Sequence, residues 1–287
     1  MKKRLSSIVY IVLIILLLLI FLSCGWKLYE YFSEGIKTQN SYNELSQILD
    51  QARPTEDPTA PSVDWSAMET LPQEVLATDP DSPYISVEDP NTGESVMMLP
   101  EFKELYGINP DLVGWLHIPG TNIDYPVVQR KDQTDYYLYR DFYELQVARG
   151  CLYVREACDV FKPSDNVVIY GHMMQDGTMF ADLANYTSKK YWQKHQYIQF
   201  DTLRGRHTYQ IICVFKTTAT AGAGFAYHMF VDAEYDSDLD EFWANCRENA
   251  FYDTGLDPQY GDKLITLSTC EYTLTNGRLV VVAKRIS

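Results

Sequence analysis

Two apolar runs near the C-terminus constrain the fold more than any other feature of the sequence. The run KLITLST ends just before Cys270, and the run RLVVVAKRI begins at Arg278. Both are rich in β-branched residues, which favour strands, and the Asn-Gly pair between them is typical of a tight hairpin turn. The two runs therefore predict an antiparallel hairpin. Further short strand-like runs separated by turn signals predict a mainly β domain, a barrel or a sandwich, with added helices.

The predicted hairpin brings a thiol and a guanidinium together. Because side chains alternate along a strand, Cys270 and Arg278 can both point at one site near the open end of the paired runs. A nearby cation favours the thiolate, and a guanidinium can hold an oxyanion through its fixed fork of donors. The pattern indicates a cysteine acyl-transfer enzyme. A buried cysteine beside an arginine in a surface ion pair remains an alternative.

Such an enzyme also needs a proton carrier. The apolar run NVVIYGH ends in His172, where a strand gives way to a loop, and functional groups concentrate at such places. An unperturbed imidazole exchanges protons near neutral pH. We therefore predict that His172 is the general acid and base. The other histidines are His117, His195, His207 and His228.

The N-terminus predicts a membrane anchor. Three basic residues at positions 2–4 precede an apolar run over residues 8–26, 19 residues long, close to the roughly 20 that span a bilayer core. The basic flank predicts a single-pass protein of the cell membrane, with a cytoplasmic N-terminus and everything after the anchor outside. A cleaved signal peptide and a lipid-modified Cys24 are alternatives. A clear small-x-small cleavage site is missing, and Phe21 stands where a lipoprotein box has leucine.

Composition divides the rest of the chain. Seven prolines with acidic neighbours lie between Arg53 and Pro90, which is typical of an extended segment. We therefore predict a cytoplasmic tail over residues 1–7, the anchor, a helical and proline-rich extracellular stem over residues 27–96, and a catalytic domain over residues 97–287.

Charge and cysteine spacing exclude other classes of function. The net charge of −15 argues against a nucleic-acid partner. Without a CxxC pair or an HxH cluster we expect no metal site, and we expect no cofactor. Five cysteines lie beyond the anchor, so at least one is unpaired. Whether Cys151 and Cys158 form a disulfide stays open.

The chain resembles the sortases of Gram-positive bacteria, and class B sortases in particular. TLSTC at residues 266–270 matches the family's TLxTC signature, and Arg278 opens the final strand as the family's arginine does. NVVIYGHMMQDGTMFADL resembles the segment that carries the family's histidine, here His172, and NPDLVGWLHIPGTNIDYPVVQ resembles the start of the class B domain. A helix near residues 238–252 is also a class B feature. The resemblance covers residues 97–287.

The resemblance implies a closed eight-stranded sortase β-barrel with added helices, preceded by one transmembrane helix, and a cysteine transpeptidase. Cys270 would attack the carbonyl after the threonine of a C-terminal sorting motif in a secreted protein, giving a thioacyl enzyme. Arg278, with a backbone N–H near Glu271, would hold the oxyanion. His172 would protonate the leaving amine.

Substrate contacts and acceptor are implied less specifically. Ser268, Glu271 and Leu138 are expected to contact the sorting motif. The expected partners are secreted proteins with a sorting signal, an amine of a peptidoglycan precursor or crossbridge, and the cytoplasmic membrane. A pilin-polymerising sortase with a lysine acceptor, a cysteine hydrolase and a non-catalytic surface module remain alternatives, because the motifs do not name the acceptor.

Overall fold

The computed structural model describes residues 2–54, 63–69, 75–76, 82–220 and 222–287. Residues 55–62, 70–74 and 77–81 of the predicted proline-rich part of the stem therefore lie outside the described residues, as does Met1 of the predicted tail. The chain divides into two compact units, Met1–Ser41 and Tyr42–Ser287.

The helices and strands follow one another as a long N-terminal helix, a small hairpin and a set of strands with short helices between them. The helices are α1 (Lys2–Ala52), α2 (Trp65–Glu69), α3 (Lys103–Ile108), α4 (Lys189–Trp192) and α5 (Asp236–Asn249). The strands are β1 (Ile85–Glu88), β2 (Ser95–Met98), β3 (Leu112–His117), β4 (Asp124–Val128), β5 (Leu152–Val154), β6 (Asn166–Tyr170), β7 (Tyr197–Thr202), β8 (Gly205–Thr218), β9 (Leu264–Glu271) and β10 (Gly277–Arg285). Short 3-10 helices occupy Pro100–Phe102, Tyr136–Tyr139, Ala181–Thr187 and Tyr227–Met229.

Within the first unit the described residues belong to α1. From Tyr10 onward this helix is long and apolar enough to cross a membrane, by length and composition. The large apolar side chains from Tyr10 to Leu22 are exposed. The predicted anchor thus lies on a continuous helix whose large apolar side chains are exposed from Tyr10 to Leu22.

The eight strands β3 to β10 close into a barrel in the order β10-β8-β7-β3-β4-β5-β6-β9. The pairs β4–β5 and β6–β9 are parallel and the others are antiparallel. The eight-stranded barrel predicted from the resemblance is confirmed. Strand β10 is buried on both faces at Val280, Val281 and Val282, which explains its unbroken apolar sequence.

The C-terminal hairpin forms as predicted, but its turn is wider than the Asn-Gly pair suggested. Glu271 pairs with Gly277, so the loop has five residues, from Tyr272 to Asn276. Asn276 adopts the left-handed conformation, with φ of 52°. The Glu271 carboxylate accepts hydrogen bonds from the backbone amides of Thr273 and Leu274. These bonds stabilise the longer loop. Because the loop has five residues, the prediction of a tight turn was wrong.

The second unit includes residues that the sequence analysis assigned to the stem. Tyr42, Leu45 and Leu49, near the end of α1, recur at helical spacing and are at most 1 % exposed. The Ser46 hydroxyl donates to Asp124 Oδ2 at 2.9 Å, and Arg53 forms an ion pair with Asp201 at 2.8 Å. The last turns of α1 therefore pack against the barrel.

The cysteines of the barrel are free thiols. Cys151 and Cys158 are both buried and unbridged. The Cys151 thiol lies 3.7 Å from the carbonyl of Pro126, and the Cys158 thiol lies 3.5 Å from the carbonyl of Asn166. Each therefore packs as a small buried residue of the barrel.

Candidate active site

Cys270 and Arg278 are direct cross-strand partners. The register of β9 and β10 places them opposite each other, one residue from the loop end of the hairpin. Both are partly exposed and line one cavity of about 350 Å³. Directly opposed side chains in an antiparallel pair lie close together. The structure therefore brings the predicted thiol and guanidinium into one site.

A second strand pairing brings in His172. Strand β6 runs parallel to β9, Tyr170 pairs with Ser268, and the next amide, of Gly171, donates to the Ser268 carbonyl at 3.1 Å. His172 lies two residues after Tyr170, and Cys270 lies two residues after Ser268, so the parallel chains reach these two residues at the same level. His172 lines the same cavity. The parallel register therefore brings His172 level with Cys270, although 98 residues separate them in the sequence.

The imidazole of His172 has a defined hydrogen-bond partner. Its Nε2 lies 2.7 Å from the backbone carbonyl of Leu138, and the ring packs against Tyr139 with centroids 5.4 Å apart. A carbonyl can only accept, so Nε2 must donate. In the neutral imidazole Nδ1 is then the nitrogen that can take up a proton. The sequence pattern offered no partner for His172, because a backbone carbonyl 34 residues away has no sequence signal.

The Arg278 side chain is held from one side. Its Nη1 donates to the carbonyls of Gly277, at 2.9 Å, and Asn276, at 3.4 Å. Within the described part of the chain these bonds use Nη1 alone, so Nη2 and Nε keep donors for a ligand. The arrangement suits a guanidinium that must meet a charge appearing during a reaction.

The three predicted substrate contacts have different positions. Leu138 and Ser268 line the cavity, and the Ser268 hydroxyl lies 2.6 Å from the hydroxyl of the buried Tyr227. The Glu271 carboxylate instead binds the hairpin loop and receives a hydrogen bond from Lys216 at 2.9 Å. Burial raises the pKa of Glu271, but the bonds from Lys216 and Thr273 outweigh it and lower the pKa overall.

The sequence analysis missed a wall of the cavity formed by the 3-10 helix at Tyr227–Met229. Tyr227 and His228 line the cavity together with Arg155, whose Nη1 donates to the His228 carbonyl at 2.7 Å. Burial lowers the pKa of His228, and the nearby Arg155 and Arg278 lower it further. His228 is thus kept neutral beside two guanidinium groups.

The side chains that line the cavity supply the groups of a thiol site. Among the residues that the structure describes, no group of three or more His, Cys, Asp or Glu side chains could hold a metal ion. The cavity instead combines a thiol, an imidazole and guanidinium groups, which suits nucleophilic acyl transfer.

Comparison with known proteins identifies the family. A family model described as a sortase domain matches residues 116–286, more than half of the chain. This chain belongs to the sortase family. The match contains His172, Cys270 and Arg278. The site of this sortase therefore lies within the matched domain, and the chain is a cysteine transpeptidase.

The relatives place this sortase in class B. Sortase B of Staphylococcus aureus is 33 % identical over 189 residues, which cover 65 % of this chain and 75 % of that protein. Sortase B of Listeria monocytogenes is 30 % identical over 189 residues, 65 % of this chain and 74 % of that protein. A solved complex of Staphylococcus aureus sortase B with substrate has a TM-score of 0.67 at 26 % identity, covering 89 % of this chain and 99 % of that one. Sortase B of Clostridium perfringens has a TM-score of 0.59 at 30 % identity, covering 64 % and 99 %.

Proposed function

We propose that this sortase joins secreted proteins to peptidoglycan through a thioacyl enzyme on Cys270. The observation that carries the proposal is the double strand pairing around β9. It sets Arg278 opposite Cys270 and His172 beside it, in one cavity. That Staphylococcus aureus sortase B was solved with its substrate supports a sorting-signal peptide as the substrate class here.

In the first half-reaction the Cys270 thiol passes its proton to His172 Nδ1, and the resulting thiolate attacks the carbonyl carbon of the motif's threonine. The oxyanion is held by the free donors of Arg278 and by the backbone N–H of Glu271. As the intermediate collapses, the C–N bond breaks and His172 gives the Nδ1 proton to the leaving amine. The thioester and a peptide with a new amino terminus remain.

In the second half-reaction an amine of a peptidoglycan precursor or crossbridge attacks the thioester. His172 Nδ1 accepts the proton that this amine loses, the C–S bond breaks, and the Cys270 thiolate is regenerated. The Leu138 carbonyl supports both steps, because it keeps the other ring proton on Nε2 throughout. Proton balance therefore needs one imidazole nitrogen and no further group.

We place the protein in the cell membrane as a single-pass protein with its catalytic domain outside. Three basic residues at positions 2–4 precede an apolar helix long enough to cross a bilayer, and basic flanks stay cytoplasmic. An extracellular catalytic domain would meet both secreted proteins and wall amines.

Mass spectrometry of the full-length protein in detergent tests the proposal. The protein is mixed with a pool of threonine-containing sorting peptides, with and without a peptidoglycan-type amine. We expect an acyl adduct on Cys270 that moves to the amine when one is supplied. The adduct should be absent in Cys270→Ala and retained in Cys24→Ala, which removes the exposed thiol of α1.

Other products would identify other functions. A product that is only the free acid would identify a hydrolase, and transfer only to a pilin lysine peptide would identify a pilin-polymerising enzyme. The absence of any adduct would contradict the proposed chemistry.

A further inference from the structure

Two neighbouring residues, Arg149 and Gly150, lie behind His172 and contact both parts of its setting. One part is the loop over residues 173–180 that follows the histidine. The other is the Leu138 carbonyl that accepts its Nε2–H. Neither residue lines the cavity.

The side chain of Arg149 is fixed to the loop. It is 2 % exposed, and it donates to Asp176 Oδ2 at 2.9 Å and to Thr178 Oγ1 at 2.7 Å. The loop is closed at its base by the Phe180 amide, which donates to the His172 carbonyl at 2.9 Å. A buried charge needs such partners, and losing them is costly. Arg149 therefore fixes the tip of a loop whose base includes His172.

Gly150 supports the carbonyl that holds the imidazole. Its φ is +59°, and a Cβ there would lie 2.4 Å from the Leu138 oxygen and 2.6 Å from the Tyr137 oxygen. The next amide, of Cys151, donates to the Tyr137 carbonyl at 3.1 Å. The Leu138 oxygen thus packs directly on the Gly150 Cα, at a separation only glycine permits.

Tyr42, near the end of α1, holds Gly150 through its backbone carbonyl. It is 1 % exposed, and its hydroxyl donates to the Gly150 carbonyl at 2.6 Å. Its ring packs edge-on against Tyr125, with centroids 5.4 Å apart, and the Tyr125 hydroxyl accepts the Met179 amide at 3.0 Å. A residue of the predicted stem therefore contacts Gly150 directly and is linked to the loop after His172 through Tyr125.

We propose that Tyr42, Arg149 and Gly150 together position His172, and we call these three residues the positioning relay. The last turns of α1 therefore contribute to the geometry of the active site. The relay rests on the proposed role of His172 as acid and base. None of its members contacts the substrate. Each holds the Leu138 carbonyl or the following loop in place, so that Nε2 keeps its proton and Nδ1 remains the nitrogen that exchanges one.

The test uses the full-length protein in detergent, labelled with ¹⁵N-histidine. The readouts are kcat and KM for transpeptidation and the downfield Nε2–H proton resonance of His172, which is assigned by its loss in His172→Asn. The variants are Tyr42→Phe, Arg149→Met and Arg149→Lys. The matched control is Tyr84→Phe, which also removes a hydroxyl bonded to a backbone carbonyl, that of Arg204.

We expect Tyr42→Phe to lower kcat about five- to tenfold, as the loss of roughly 1 kcal/mol from one hydrogen bond implies. KM should be unchanged, and the Nε2–H resonance should move upfield. Arg149→Met should lower kcat more than Tyr42→Phe does. Arg149→Lys should have a kcat between those of Arg149→Met and the wild type. Tyr84→Phe should lower the melting temperature without changing kcat or the resonance.

Folded Tyr42→Phe and Arg149→Lys variants that both keep the wild-type resonance and kcat would overturn the relay. The resonance is measured without substrate, so it tests the relay even if the wild-type protein forms no adduct. Failure of the proposed function would instead appear as a wild-type protein without transpeptidation.

Discussion

At the scale of one residue, the proposed role of Arg278 depends on the fork of donors of its guanidinium as well as on its positive charge. The carbonyls of Asn276 and Gly277 hold Nη1, and the described residues leave Nη2 and Nε free. Lysine keeps the charge but lacks the fork. We expect Arg278→Lys to slow acyl-adduct formation about a hundredfold, in the range known for the loss of one oxyanion donor. Single-turnover mass spectrometry measures this rate. Arg247→Lys, at an exposed site on α5, is the control, and an unchanged rate in Arg278→Lys would contradict the assigned role.

Gly171 limits where the histidine can lie. A Cβ there would lie 2.4 Å from Leu152 Cδ2 and 2.7 Å from Phe180 Cδ2. We therefore expect Gly171→Ala to displace His172 and to lower kcat/KM at least about tenfold, a loss of roughly 1.4 kcal/mol. Steady-state kinetics measure it. Gly107→Ala, in α3 with no atom near the added methyl, should keep kcat/KM and raise stability slightly. Equal kinetics in the two variants would refute this reading.

The residues of the site differ in how far the sequence could predict them. Strand alternation and the signature motif together led to Cys270 and Arg278, and a strand end led to His172. The Leu138 carbonyl could not be predicted, because a backbone acceptor carries no residue identity. Glu271 stays a predicted substrate contact, and its carboxylate binds the hairpin loop. Its neighbours in sequence gave no hint of Lys216, which lies 55 residues away on β8.

At the scale of the element, the hairpin loop depends on the Glu271 carboxylate. The loop amides and Lys216 lower the pKa of Glu271 below its ordinary value. A lowered folded-state pKa stabilises the fold above the unfolded pKa of about 4.3, and that stability is lost as the pH falls through the folded-state pKa. We expect Glu271→Gln to cost roughly 1–3 kcal/mol at pH 7. The difference from the wild type should shrink as the pH falls below about 4.

Urea unfolding of the two proteins at pH 7 and near pH 3.5 measures this difference. Glu94→Gln, at an exposed position of the β1–β2 hairpin, should show no such dependence. A difference that stays constant with pH would mean that the Glu271 charge does not stabilise the loop.

At the scale of the whole molecule, strand patterns and the family resemblance predicted the closed barrel. They did not predict that the folded unit around it begins as early as Tyr42. Proline and acidic composition predicts an extended segment between Arg53 and Pro90. Composition could not indicate that α1 packs against the barrel from Tyr42 onward, because a stripe of Tyr42, Leu45 and Leu49 fits an exposed helix equally well. Whether such a stripe is buried depends on a partner surface, which tertiary structure alone provides.

That packing predicts how the chain responds to shortening. A chain beginning at Tyr42 retains the whole second compact unit, so we expect it to unfold cooperatively and to transfer peptides. A chain beginning at residue 55 loses two fully buried leucines and Tyr42, and each such side chain contributes about 1.5–3 kcal/mol. It should be less stable by several kcal/mol and should lose activity, because Tyr42 supports Gly150. Urea unfolding and transpeptidation assays of both chains measure these effects. Equal stability of the two would show that the end of α1 is a tether and not a part of the catalytic domain.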